Sequence, residues 1–337
     1  MDKYIENSRE IPVIADVDVL VCGGGPAGIG AAVRAGRLGA DVMLIEALDC
    51  LGGVATAGMM SHWTGHSSSL VLSEIFKRSY KKCQVLGWEE KNGAWEGTIN
   101  QEVLKLVLDE MAQDASVKTL FYTFVCDAVT ENGRITGVIV QNKSGRGMIK
   151  AKCVIDATGD GDVAASAGVP YFKGRETDGK MQPCTIMFKV GGVDYDRAVF
   201  PGSFETKVET EKGELQALAK ELLPFPAGHV LLYQQTTPGT VCCNMTNCIR
   251  IDGTNATIIG DGDGNFIADR NGIARVWMDH ALWPLITTKL YIDQTGDIAI
   301  LNREVPYFKD ALAARGTQTD PLWDEAYGNR QRTADHQ

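Results

Sequence analysis

Residues 16–30 read DVDVLVCGGGPAGIG. An apolar, β-branched run ends at Cys22, and three glycines and a proline follow it. The run predicts a buried β-strand over residues 16–22, and the helix beyond it is expected from about Pro26 to Leu38. Gly28, Ala31, Ala32 and Ala35 give that helix a face of small side chains, so it can lie close on a sheet. A second strand, DVMLIE, ends at Glu46. Gly23, Gly25 and Gly28 fit G-x-G-x-x-G, with an acidic residue at the end of the next strand. A glycine turn with no ligand is the alternative for the glycines alone. The strand before them, the helix after them and Glu46 together favour a dinucleotide. In that reading Gly23 allows the tight turn, Gly25 lets backbone approach a pyrophosphate, and Gly28 allows close helix–strand packing. The helix end that opens at Pro26 offers the unpaired N–H groups of Ala27 and Gly28, and a partial positive charge, to phosphates. Glu46 would accept from the adenosine ribose and repel a 2′-phosphate.

Outward from this unit the pattern changes period. Residues 100–114, NQEVLKLVLDEMAQD, carry apolar side chains at helical spacing, with Asn100 placed to cap. VKTLFYTFVCDAV, RITGVIV and GMIKAKCVIDA then read as strands, divided by the turn signals ENG and KSGRG. The fold class expected is α/β: a Rossmann-like FAD/NAD(P)-binding fold with a β-meander, followed by an α-helical fragment. Past residue 257, Pro284 is expected to open a helix that Gly296 closes, and Asp297 to cap another, IAILNREV, before Pro306.

The chain has 337 residues, enough for about two domains, with 44% hydrophobic and 23% charged residues. A net charge of -10 opposes nucleic-acid and anionic-membrane partners. The polar opening MDKYIENSREIP lacks the make-up of a secretory signal, and no apolar run reaches membrane-spanning length. Nine cysteines without a CxxC pair suit reduced thiols and a cytoplasmic setting. Histidines and cysteines do not cluster at ligand spacings, so no metal is expected.

The segments VCGGGPAGIGAA, CLGGVATAG, INQEVLKLVLDEM, ENGRITGVIVQN, AKCVIDATGDGDVAASAGVPYFKGRETDG, MQPCTIMFKVGGVD and VCCNMT come in an order that resembles the FAD-dependent oxidoreductase family with a glutathione-reductase-type flavin fold. The likeness runs from about residue 11 to about residue 248. It implies FAD as cofactor, hydride transfer through the flavin N5 and a small-molecule substrate. It implies an FAD-binding domain over 1–190 and an incomplete second, substrate domain over 191–248. It places Gly23, Gly25 and Gly28 at the pyrophosphate and Glu46 at the ribose. Gly52 and Gly53 would bring backbone to the phosphates again, and Thr56, Ala57 and Gly58 would run toward the flavin. Val125 would meet the adenine by its backbone, and Thr158, Gly159 and Asp160 would close the phosphate side. His62 and His66, in SHWTGH, are the histidines nearest the expected ring. They suit acid–base or substrate-anchoring roles, with hydrogen-bonded loop histidines as the plainer alternative. Arg175 and Lys180 could bind an anion, against a solvated charge run as the plainer reading.

Residues 249–337 resemble a fragment of a cellobiose phosphorylase-type glycoside phosphorylase, above all in DHALWPLITTKLYIDQTGD. That likeness implies part of an (α/α)₆ barrel whose catalytic acid lies beyond this sequence. A seam is then expected within NMTNCIRIDGTNAT, the loop IIGDGDG would not be a flavin-closing loop, and the flavoprotein would be a truncated one of doubtful activity. A glycoside phosphorylase-like protein and a non-catalytic dinucleotide-binding protein stand as alternatives. Self-association through exposed apolar C-terminal helices is a further expectation.

Overall fold

The computed structural model describes residues 5, 7–66, 70–82, 85–91, 94–201, 203, 206–223, 228–246, 252–254, 304–306 and 331–333. The chain divides into two compact units. One holds Met1–Lys173, Thr185–Gln216 and His229–Thr246, and the other holds Gly174–Cys184, Ala217–Gly228 and Asn247–Gln337.

In the first unit, β1 (Val13–Cys22) leads through the glycines into α1 (Pro26–Arg37) and β2 (Val42–Ile45). β1 pairs with β2 in parallel, Val19 opposite Val42 and Cys22 opposite Ile45. Leu20, Val21 and Cys22 are fully buried, as expected of a parallel strand covered on both faces. The long excursion after β2 holds a second small sheet and a helix. β3 (His62–His66), α2 (Leu70–Lys81), β4 (Val85–Lys91) and β5 (Ala94–Ile99) follow in turn, with the strands ordered β3-β5-β4.

α3 (Gln101–Asp114) starts where the sequence places it. The Asn100 side chain accepts from the N–H groups of Glu102 and Val103 at 3.0 and 3.2 Å. The run from Val117 to Val129, expected as one strand, is two: β6 (Lys118–Leu120) and β7 (Phe124–Glu131). Tyr122 breaks it with φ 52°, and the Tyr122 and Thr123 amides turn back to the carbonyls of Leu48 and Glu46. β8 (Arg134–Asn142) and β9 (Gly145–Asp156) complete the meander, and α4 (Asp162–Ser166) follows.

The six-stranded sheet has the order β6-β2-β1-β9-β8-β7. β9 runs parallel to β1, with Cys22 opposite Asp156. Cys22, Ile45 and Asp156 therefore end side by side, and the loops leaving them gather at one edge. One face of the sheet packs on α1, α2 and α3 through Ile29, Val33, Leu44, Phe76, Leu104, Leu108 and Met111. Truncating one such leucine to alanine costs about 2–5 kcal/mol. The other face gathers Leu20, Ile45, Val138, Val140, Ile149 and Val163.

Further along come β10 (Phe188–Val190), the short pair β11 (Glu209–Thr210) and β12 (Gly213–Glu214), α5 (Leu215–Leu222), β13 (Leu232–Gln234) and β14 (Val241–Cys243). β14 lies between β10 and β13, antiparallel to both. In the second unit, β15 (Glu304–Pro306) pairs antiparallel with β16 (Gln331–Thr333). Glu304 and Val305, the end of the helix expected over IAILNREV, are strand instead, because the residue before a proline favours extended backbone; residues 298–303 lie outside the described residues. The helix expected from Pro284 and the apolar faces expected to drive self-association lie outside the described residues.

Candidate functional site

The loops that leave β1, β2 and β9 enclose a cleft of about 720 Å³, a size usual for small-molecule and cofactor sites. Three segments build it from backbone. Gly23 turns with φ 100°, and a Cβ there would lie 2.2 Å from the Ala157 carbonyl oxygen. Gly28 sits under the same turn, where a Cβ would lie 1.8 Å from the Gly23 oxygen. Gly25 is different: a Cβ there would meet nothing within 4 Å. It is the N-cap of α1, and no side chain caps the helix; Pro26 occupies the first turn and no acidic side chain lies there. The first N–H groups of α1 therefore have no partner within the helix, and the direction in which a Gly25 Cβ would point is open.

Glu46 is 7% exposed. Its Oε2 accepts from the Gly24 amide at 2.6 Å and its Oε1 from the Leu48 amide at 2.9 Å. The carboxylate thus ties the glycine loop to the segment after β2. Each oxygen keeps further acceptor capacity, and the residue lines the cleft.

The third segment leaves β9. Asp156 Oδ1 accepts from the Thr158 hydroxyl at 2.7 Å, and its Oδ2 accepts from the Ala164 amide at 2.9 Å. The Thr158 hydroxyl accepts in turn from the amides of Gly161 and Asp162. Thr158 therefore shapes the entry to α4 with its hydroxyl, while the residue itself lines the cleft. Burial, then the charge of Asp160, pushes the Asp162 carboxyl above the usual carboxylate range; Asp156 adds to this and a hydrogen bond with Thr158 opposes it. Burial, and then the charge of Asp156, pushes the Cys22 thiol up to about 12.

Of the residues expected at a site, Gly23, Gly25, Pro26, Ala27, Glu46, Gly53, Ala57, Gly58, Val125, Thr158 and Gly159 line this one cleft. Gly28, Gly52, Thr56 and Asp160 are not among the lining residues. Gly28 is covered by Gly23. Gly52, at φ 104°, makes room for Thr56 and Leu108. Thr56 is buried, with its hydroxyl donating to the Leu51 carbonyl at 2.7 Å. Sequence reasoning missed Leu48, Val54, Thr123, Phe124, Ala157, Gly161 and Asp162 at the wall. A turn signal inside VKTLFYTFVCDAV would have exposed Thr123 and Phe124, but no glycine or proline marks it.

His62 and His66 lie in β3, outside the cleft lining. The His62 ring stacks on Tyr233, with centroids 5.2 Å apart and planes 8° from parallel. The side chain of His66 lies outside the described residues. In the second unit, Arg175 holds Asp178 with two hydrogen bonds of 2.8 and 2.6 Å, and Lys180 approaches the same carboxylate at 3.0 Å. These two cations are spent on one turn, which favours the plainer reading of them. Among the described residues no three His, Cys, Asp or Glu side chains are placed to hold a metal ion. Among them, too, no helix is long and apolar enough to cross a membrane, and seven cysteines carry free thiols.

A family model described as FAD dependent oxidoreductase matches residues 18–264. Thiamine thiazole synthase of Aeropyrum pernix is 29% identical over 155 residues, which are 42% of this chain and 54% of that protein. The chain thus spans about half the length of this curated relative. The crystal structure of THI4 of Thermovibrio ammonificans is 22% identical over 45% of this chain and 61% of that one, with a TM-score of 0.36. A geranylgeranyl bacteriochlorophyll reductase-like protein from Thermoplasma acidophilum is 17% identical over 68% of this chain and 56% of that one, with a TM-score of 0.48. The family match passes the boundary expected at 248 and takes in TNATIIGDGDG, so the flavoprotein sequence does not stop at the expected seam.

Proposed function

The chain belongs to the family of FAD-dependent oxidoreductases, and we propose that its cleft holds the cofactor, FAD, for oxidation or reduction of a small-molecule substrate. Bound FAD supplies a two-electron centre that exchanges hydride at N5. The protein's part is to bind, orient and handle protons. The space over Gly25, beside the unpaired N–H groups of α1, suits a pyrophosphate, because oriented amides and the helix dipole favour negative charge there. Gly23 and Gly53 shape its walls, and Thr158 and Gly159 close the opposite side. Gly28, Gly52 and Thr56 act one layer back, by holding turns, while Asp160 is exposed on the loop that follows Gly159. Glu46 offers its remaining lone pairs to the ribose hydroxyls. Val125 sits on the bulged edge strand β7, where interrupted pairing leaves backbone for the adenine. Ala57 and Gly58 lead toward the flavin end, and His62, just beyond them, is assigned an acid–base or substrate-orienting role, with His66 further along β3.

The observation that carries this reading is the contrast between a glycine whose added Cβ would meet nothing within 4 Å and two glycines whose added Cβ would strike backbone, all in one six-residue loop. Its test is the visible spectrum of the purified chain, with flavin released and counted, for the natural sequence and for Gly25→Ala. The natural chain is expected to hold about one FAD. Gly25→Ala is expected to fold with little loss of stability and to weaken FAD binding about tenfold or more, the equivalent of 1.4 kcal/mol. Undiminished flavin binding by Gly25→Ala would place the pyrophosphate elsewhere.

A further inference from the structure

Behind the residues that lead from Gly58 to His62 lies a pair of buried amides. Gln101, at the start of α3, is 1% exposed, and Gln235, after β13, is 5% exposed. Gln101 Nε2 donates to Gln235 Oε1 at 3.0 Å and to the Met59 carbonyl at 3.3 Å. Gln235 Nε2 donates to the Ser61 hydroxyl at 2.9 Å and to the Tyr233 carbonyl at 3.0 Å. Both N–H donors of each amide are thereby used. Carbonyl acceptors fix which end of each amide is nitrogen, because reversing either would set oxygen against oxygen. Such a closed polar network resists distortion, since opening one bond strands a buried donor or acceptor.

The connections have a direction. Gln235 grips Ser61, the residue before His62, and at the same time the backbone of Tyr233. Tyr233 is the ring on which His62 stacks. Met59, held by Gln101, has φ 59°, a conformation a non-glycine residue keeps only when its surroundings hold it. Two elements far apart in sequence are thus locked in the register that lays imidazole on phenol.

We propose that Gln101 and Gln235 form a buried clamp, and Tyr233 a platform, that together position the His62 imidazole for its part in the flavin reaction. Gln101, Gln235 and Tyr233 are positioning residues acting through His62. The inference rests on the role assigned to His62 above, and its test separates the two.

The full chain loaded with FAD is labelled at the histidine Cε1, and the resonance missing in His62→Gln is that of His62. In the natural chain this resonance is expected upfield of an exposed imidazole, because it lies against the Tyr233 ring. Tyr233→Phe is expected to keep the shift, while Tyr233→Leu and Gln235→Leu lose it. The flavin midpoint potential is measured on the same samples. Tyr233→Leu and Gln235→Leu are expected to move it in the direction His62→Gln moves it, and Tyr233→Phe to hold the natural value. If Gln235→Leu does not fold, the two Tyr233 variants decide. A His62 resonance at the exposed position in the natural chain, or one that neither leucine variant moves, overturns the clamp. So does a potential that responds to His62→Gln but not to Tyr233→Leu. If the ring shift behaves as expected and His62→Gln leaves the potential unchanged, the clamp stands and the role of His62 falls.

Discussion

The glycine-rich loop at residues 23–28 is held by backbone packed on backbone, whereas the turn at residues 59–61 is held by side chains from distant parts of the chain. In the first, Gly23 and Gly28 admit carbonyl oxygens to within 2.2 and 1.8 Å of where a Cβ would stand. In the second, Gln101 and Gln235 supply four hydrogen bonds across sequence separations of 42, 134, 174 and 2 residues. A backbone-built site tolerates no added atom but asks nothing of remote residues. A side-chain-built site tolerates small changes of shape but fails when one remote partner is lost. The two regions should therefore break differently.

The largest effect is expected from Gly28→Ala. A methyl group 1.8 Å from the Gly23 oxygen has no rotamer to escape into, so the loop or α1 must move. A loss of about 3 kcal/mol or more is expected in urea unfolding, with loss of bound flavin. Its counterpart Gly25→Ala, in open space, should separate the two properties and lose flavin alone. Equal losses of stability in both variants would abolish the distinction between packed and open glycines.

Next in size is Gln101→Leu. Leucine has similar bulk but leaves Gln235 Oε1 without its Gln101 donor and the Met59 carbonyl with only the weak Cys242 thiol donor. The expected cost is about 1–3 kcal/mol at an unchanged m-value, read from the urea midpoint. Flavin content should stay near one per chain, because the ADP end of the cleft is built elsewhere. A stability within about 0.3 kcal/mol of the natural chain would mean that water replaces the lost donors and the clamp is slack.

The same difference decides what could be read from the sequence. G-x-G-x-x-G is visible because each glycine answers to a neighbour a few residues away or to the adjacent strand. The strand, the helix from Pro26, the Asn100 cap and Glu46 were legible for the same reason: each is a local pattern. Family order, once the motifs stood in line, supplied FAD. Gln101, Gln235 and Tyr233 carried no signal, because a glutamine on an apolar helix face or beside a strand shows its partner only when the chain is folded. The split between β6 and β7 was hidden because Tyr122 adopts φ 52° without a glycine to announce it. After about residue 249 two points compare with the expectation: the family match carries flavoprotein sequence past 248 to 264, and residues 304–306 form a strand ending at a proline, while most of the segment that resembles a helical family lies outside the described residues.

The smallest effect is expected at Asp162, and it sharpens the comparison on the cleft side. Its carboxyl lies above the ordinary value of 3.8 because of burial first and the charge of Asp160 second. An acid whose pKa folding raises holds its proton more tightly in the native chain than in the unfolded one. Stability is then greatest below 3.8, falls as pH rises through the raised value, and stays lowered at neutral pH, where both states are ionised. Asp162→Asn removes that penalty. The side chain is exposed, so solvent screens the effect and a gain of only a few tenths of a kcal/mol is expected at pH 7, vanishing near pH 3. The residue also lines the cleft beside Asp156 and Thr158. Removing its charge should tighten FAD slightly, and more so at low salt than at high, where screening already weakens the repulsion between carboxylate and pyrophosphate. A loss of stability in Asp162→Asn would show that the carboxylate's favourable place in the first turn of α4 outweighs its repulsion from Asp160. The acidic loop would then be a helix-capping device first and a wall of the cleft second.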